Sequence, residues 1–150
     1  MNEQIVDFIK EQTVATICCI DAEALPYCFT CFYAFNIEEG LIYFKSSPNS
    51  KHSLLIRENA TISGTILPDK LNKMAIKGVQ FNGEVLDPKH LLCRNASFIY
   101  NKSHPLAIAI KGEIFTIRLS SVKFTDSSMG FGRKIIWERN ESGGLFVAYK

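Results

Sequence analysis

Gly40-Leu41-Ile42-Tyr43-Phe44-Lys45-Ser46-Ser47-Pro48-Asn49-Ser50-Lys51-His52-Ser53 is an apolar run that ends in hydroxyls and amines. Its first half predicts a buried strand and its second half the start of a helix. Ser47 offers an N-cap oxygen, and Pro48 fits the first helical position, where a missing N–H costs nothing. A helix start presents unsatisfied amides and the positive end of the helix dipole, so it attracts anions, and Lys45 and Lys51 add charge. Two readings are open, a phosphate cradle and a well-capped surface helix with solvated lysines. The flanking sequence decides between them.

Upstream, Asn2 fits as the cap of a short helix that carries Ile5, Val6, Phe8 and Ile9 on one face and ends near Gln12. Residues 13–20 are rich in β-branched side chains and predict a strand, residues 21–25 a turn, and residues 26–36 an alternating second strand. Tyr27, Phe29, Tyr33 and Phe35 fall on one face of that strand, as core or subunit interface. Glu38-Glu39-Gly40 is a hairpin turn into the strand at residues 41–45. Downstream, a helix over about residues 48–57 is followed by strands at 60–67 and 75–86, separated by a turn at Pro68-Asp69-Lys70. Pro88 opens a second helix reaching about Tyr100, with Leu91, Leu92, Ala96 and Ile99 as its apolar stripe. Pro105 is a break after that helix, and His104 before it reads as a turn residue. Strands at 114–124 and 134–139 are joined by the glycine-containing loop 127–132, and a turn at 140–144 leads to a last strand at 145–149. The strands outnumber the helices and connect as antiparallel hairpins, which predicts a mainly β fold closed into a barrel, because closure removes exposed sheet edges. Without repeats or linkers, residues 1–150 read as a single domain.

A net charge of +2 with lysines scattered among acids gives little electrostatic support for nucleic-acid binding. The polar N-terminus and the lack of a long apolar stretch point to a cytoplasmic protein with no membrane span. Five cysteines, an odd number, suit reduced thiols, and buried apolar cysteine is the default. Cys28 and Cys31 form a C-x-x-C pair, but residues three apart on a strand face opposite sides and cannot share a metal or a disulfide. His52, His90 and His104 are scattered, so no metal site is expected; His52 alone has a role, beside the helix start.

The order helix, two strands, hairpin to a third strand ending in a Ser/Lys turn, short helix, strand, then Gly78-Val79-Gln80-Phe81-Asn82-Gly83-Glu84-Val85 resembles the antiparallel FMN-binding split β-barrels related to pyridoxamine 5′-phosphate oxidase. The tail Val122-Lys123-Phe124-Thr125-Asp126, Gly130-Phe131-Gly132-Arg133-Lys134 and Trp137-Glu138-Arg139 resembles a group of short bacterial proteins of that superfamily.

The resemblance implies a homodimer with FMN in a groove between subunits. It places Cys28, Phe29, Thr30 and Cys31 over the isoalloxazine, largely through backbone groups, and Phe44, Lys45 and Ser46 beside the ring and ribityl chain. Ser47, Asn49, Ser50, Lys51 and His52 then hold the phosphate. The oxidases use an Arg-Lys pair there; Lys51 matches the Lys, but Ser50 stands in place of the Arg, so a bidentate charged contact is lost unless Lys45 or a partner residue compensates. Arg133, Lys134, Trp137 and Arg139 form a cluster able to reach the flavin across the dimer, with Trp137 and Arg139 on one strand face; core or interface fits Trp137 equally. The implied activity is that of an FMN-dependent oxidoreductase, a reductase or oxidase of an unidentified small molecule, with NAD(P)H as a candidate donor and no required catalytic side chain. The oxidases' own substrate-phosphate residues are not clearly reproduced, so pyridoxamine 5′-phosphate is not the expected substrate. A non-catalytic flavin- or haem-binding module and an interaction domain with a decayed site remain as alternatives.

Overall fold

The computed structural model of the chain describes residues 1–72, 74–128 and 133–140. Helix α1 (Glu3–Glu11) leads into strands β1 (Val14–Ile20), β2 (Pro26–Asn36) and β3 (Leu41–Ser46). Helix α2 (Lys51–Glu58) precedes β4 (Thr61–Ile66) and β5 (Lys77–Val85); helix α3 (Ala96–Ser103) lies between two 3₁₀ turns, Leu91–Cys93 and Pro105–Ala109; β6 (Glu113–Asp126) and β7 (Arg133–Glu138) come last. Residues 129–132 of the expected loop at 127–132, residues 141–144 of the expected turn at 140–144 and the expected last strand at 145–149 lie outside the described residues.

All strand pairings are antiparallel. The sheet order is β3-β2-β1-β4-β5-β6-β7, and an additional β3–β6 pairing closes the first six strands into a barrel. Its interior holds Ile17, Cys19, Ile42, Phe44, Ile62, Ile66, Val79, Phe81, Ile117 and Leu119. β5 alternates: Val79, Phe81 and Gly83 are buried while Gln80, Asn82 and Glu84 are exposed. β3 is buried on both faces from Leu41 to Phe44, because Ile42 and Phe44 fill the barrel while Leu41 and Tyr43 pack outward under Ala96 and Tyr100 of α3. That explains why its sequence is a continuous apolar run.

The first helix forms as expected, with the Asn2 side chain accepting from Gln4 N and Ile5, Val6, Phe8 and Ile9 buried. The helix predicted over residues 88–100 does not form as one piece. The Asp87 carboxylate accepts from Lys89 N at 2.8 Å and His90 Nδ1 from Leu92 N at 3.2 Å, so side chains compete for the amides a continuous helix needs. A 3₁₀ turn results, α3 starts only at Ala96, and Leu91 of the predicted stripe is 66% exposed.

β6 is long enough to use one edge twice. Residues 113–118 pair with β3 and residues 121–126 with β7, leaving a split at Leu119 and Ser120. Arg139 bridges it: its Nε donates to Leu119 O at 2.6 Å and Nη2 to Glu39 O at 2.7 Å and Gly40 O at 3.0 Å. Gly40 has φ +62°, a conformation that favours glycine, and a Cβ there would lie 2.7 Å from Arg139 Nη2 and push the guanidinium aside. Arg139→Gln removes the fork that reaches three carbonyls, one on β6 and two in the β2–β3 turn. The expected result is a loss of about 1.5–3 kcal/mol of stability, the usual range for hydrogen bonds to a charged group. An unchanged urea midpoint would contradict the bridging role.

Candidate functional site

β3 ends at Ser46, and the chain then makes a turn in which Ser50 N donates to Ser47 O at 3.2 Å. Helix α2 begins only at Lys51, with Ser50 as its N-cap accepting from Ser53 N. This corrects the expectation that Ser47 caps the helix and Pro48 starts it. The Ser47 carbonyl accepts from Ser50 N, from Ser50 Oγ at 3.0 Å and from Ser53 Oγ at 2.8 Å, so it anchors a tight turn with Pro48 at its second position. Arg57 donates to Pro48 O at 2.7 Å and pairs with Glu113 at 2.7 Å, tying the turn to the start of β6.

Around the helix start, polar side chains converge. Ser46 Oγ lies 2.6 Å from His52 Nε2 and 3.2 Å from Ser50 Oγ; Ser50 Oγ is 3.0 Å from His52 Nε2 and 2.7 Å from Ser53 Oγ. The His52 ring stacks on Phe29 with centroids 3.8 Å apart and planes 9° from parallel, and Phe29 in turn packs on Phe44 at 5.5 Å. The ammonium of Lys51 sits 4.7 Å from the centroid of Tyr27, and Asn49 N donates to Ser47 Oγ at 3.4 Å. The result is an aromatic shelf at one barrel mouth, rimmed by hydroxyls, one ammonium and the first-turn amides of Lys51 and His52, which have no intrahelical acceptor. Burial holds the His52 imidazolium below the ordinary histidine range, favouring the neutral ring. Such a site can accept an anion through hydroxyls, amides and Lys51 while stacking a planar group nearby.

The fold therefore brings together Phe29, Phe44, Ser46, Ser47, Asn49, Ser50, Lys51 and His52. It does not gather the other candidates there within one chain. Lys45 lies on the opposite face of β3 from Ser46, and its Nζ donates to Ala107 O at 2.7 Å. Cys28 and Thr30 point outward on β2, whereas Cys31 faces the core, where burial pushes its thiol up to about 12. Trp137 packs against the core near Gly40, at the other end of β3, with Arg139 5.5 Å from its ring. Sequence reasoning missed Ser53, Tyr27 and Arg57. Ser50, a favoured cap residue standing three positions before Ser53, is the signal that could have found the true cap; nothing in the sequence reports the Tyr27 contact.

No protein-family model matches the chain. It is 33% identical over 139 residues to a UPF0306 protein of Photorhabdus laumondii, an alignment spanning 92% of this chain and 96% of that protein. The chain belongs to the UPF0306 family. Among solved structures, it resembles a haem-binding protein from Mycobacterium smegmatis with TM-score 0.74 and 15% identity, over 87% of this chain and 55% of the other. It also resembles an FAD-binding protein from Mesorhizobium loti with TM-score 0.67 and 15% identity, over 85% and 95% of the two chains. At these identities the likeness establishes the fold, a barrel shared with flavin- and haem-binding proteins. Among the described residues, no helix of this UPF0306 protein is long and apolar enough to cross a membrane.

The depressed His52 pKa makes stability depend on pH. The unfolded chain takes up the proton at the ordinary histidine value and the folded chain only at a lower pH, so between the two the unfolded state binds more protons. The stabilisation is present above the ordinary value and is lost as pH falls through the lowered one. Urea titrations at stepped pH should show this loss in wild type and a shallower one in His52→Gln; identical profiles would refute it.

Proposed function

We propose that this UPF0306 protein is an FMN-binding flavoprotein that works as a homodimer, with the flavin phosphate at the Ser47–Lys51 turn. The observation that carries this reading is the convergence of Ser46, Ser47, Ser50 and Lys51 with the amides at the start of α2, directly beside the Phe29–His52 stack. A flavin phosphate needs donors, and hydroxyls, amides and an ammonium supply them; the carboxylate beside the turn, Glu113, is paired with Arg57. The barrel fold, shared with an FAD-binding protein, supports a flavin as the ligand. Ser50 cannot replace a guanidinium in charge, but as helix cap it holds the turn in the shape that presents the amides.

The haem alternative rests on the Mycobacterium smegmatis neighbour. Flavin is favoured because each of the three imidazoles has a ring nitrogen engaged in the fold: His52 Nε2 bonds Ser46 and Ser50, His104 Nε2 lies 2.7 Å from Tyr33 O, and His90 Nδ1 accepts from Leu92 N. Bound FMN supplies two-electron redox chemistry, and the residues here bind and orient it. The protein then acts as an oxidoreductase on a small molecule, with NADPH or NADH as donor; a passive binder is the competing reading.

Protein purified from its native host should be yellow with oxidised-flavin bands, and it should elute as a dimer. A Soret band would favour haem, and a colourless monomer indifferent to added FMN would end both cofactor readings. Lys51→Ala should raise the dissociation constant for FMN about tenfold, the lower range for losing a charged contact. Equal affinity would move the phosphate elsewhere. Anaerobic mixing with NADPH and then NADH should bleach the flavin with one of them; no bleaching leaves the passive binder.

A further inference from the structure

Cys18 and Cys28 are ten residues apart in sequence, and the barrel makes them neighbours. They are direct register partners across β1 and β2. Tyr33 N donates to Thr13 O, and Asp21 N donates to Leu25 O, which marks Thr13/Tyr33 and Asp21/Leu25 as hydrogen-bonded pairs. Hydrogen-bonded and non-hydrogen-bonded pairs alternate along an antiparallel ladder, so counting inward from either end puts Cys18/Cys28 on a non-hydrogen-bonded rung. There the Cα atoms sit about 4.5 Å apart and the side chains are closest, inside the window of roughly 4.4–6.8 Å that a disulfide spans.

Both thiols are on the outer face. Ile17 and Cys19 on either side of Cys18 point into the core, as do Tyr27 and Phe29 beside Cys28. Cys28 is exposed, Cys18 is half-buried, and both line a groove of about 530 Å³ together with Thr16, Ser63 and Asn82. The Cys28 thiol beside it, together with burial, raises the Cys18 pKa above the ordinary range. The remaining cysteines are placed elsewhere: Cys19 and Cys31 face the core, and Cys93 lies in the 3₁₀ turn before α3.

We propose that Cys18 and Cys28 are a reversible redox site, oxidised to a cross-strand disulfide by low-molecular-weight disulfides of the glutathione type. The exposed Cys28 thiolate attacks one sulfur of the oxidant; a mixed disulfide forms, the oxidant's S–S bond breaks, and the departing thiolate takes up a proton. Cys18 loses its proton and attacks the Cys28 sulfur, expelling the second small thiol. Two protein thiols and one small disulfide thus become one protein disulfide and two small thiols, with two electrons passing to the oxidant. Reduction by a dithiol reverses the sequence. Both thiols belong to one chain, so the reaction needs neither a second subunit nor a cofactor.

The test treats the reduced full-length chain with oxidised glutathione and follows free thiols and intact mass. Wild type should lose two thiols and the mass of two hydrogens, retain no glutathione, and yield a peptide joining Cys18 to Cys28; dithiothreitol should restore the starting mass. Cys18→Ser should stop at the first step and keep one glutathione on Cys28. The proposal is overturned by a stable glutathione adduct on wild type, by a link to Cys19, Cys31, Cys93 or a second chain, or by no reaction of the folded chain under conditions that oxidise it in urea.

Discussion

Everything in this protein depends on β6 pairing along both edges. One edge takes β5, and the other takes β3 and then β7. The β3 pairing closes the barrel; without it, β3 and β6 would expose unpaired backbone and the apolar interior would be open along one side. The second half of the same edge holds β7, and the short gap between β3 and β7 is spanned by the Arg139 side chain. A single long strand therefore sets the barrel's closure and the position of β7.

Closure also makes the candidate site. The barrel has two mouths. Helix α1 packs near the end of β6, where Phe8 meets Phe124, and α2 near its start, where Arg57 meets Glu113. Because α2 must bury Ser53 and Ile56 against the barrel, its N-terminus is held beside the inward-facing Phe29 and Phe44. The hydroxyl of Ser53 answers the Ser47 carbonyl, which allows a polar side chain to be fully buried there. The cradle is thus a consequence of plugging a barrel end with a short, serine-capped helix.

Much of this was legible in the residues. The strand content, the inward alternation of β5 and the aromatic face of β2 derive from period-two patterning, and the apolar helix α1 from its cap and spacing. Boundaries were legible only where one local interaction dominated. Ser47-Pro48 and Ser50 are both acceptable helix starts on local grounds, and the contest was decided by Ser53 and by Arg57 reaching Pro48 O, which depend on where α2 packs. At residues 88–100, helix periodicity lost to Asp87 and His90 capping nearby amides. For the site, the grouping of Phe44, Ser46, Ser50, Lys51 and His52 was legible because they are close in sequence. That Lys45 turns away from Ser46 is a matter of strand alternation, but its contact with Ala107 is not.

The sequence by itself determined which segments are strands, which faces are apolar and that Cys28 and Cys31 cannot meet, since side chains alternate along any single strand. Only the tertiary structure decided which strands are neighbours and in what register. That step placed Cys18 opposite Cys28, Phe29 under His52 and Arg139 across the split. The physical reason is that alternation and propensity act over a few residues, whereas register is set by burying all inward faces of a closed barrel at once.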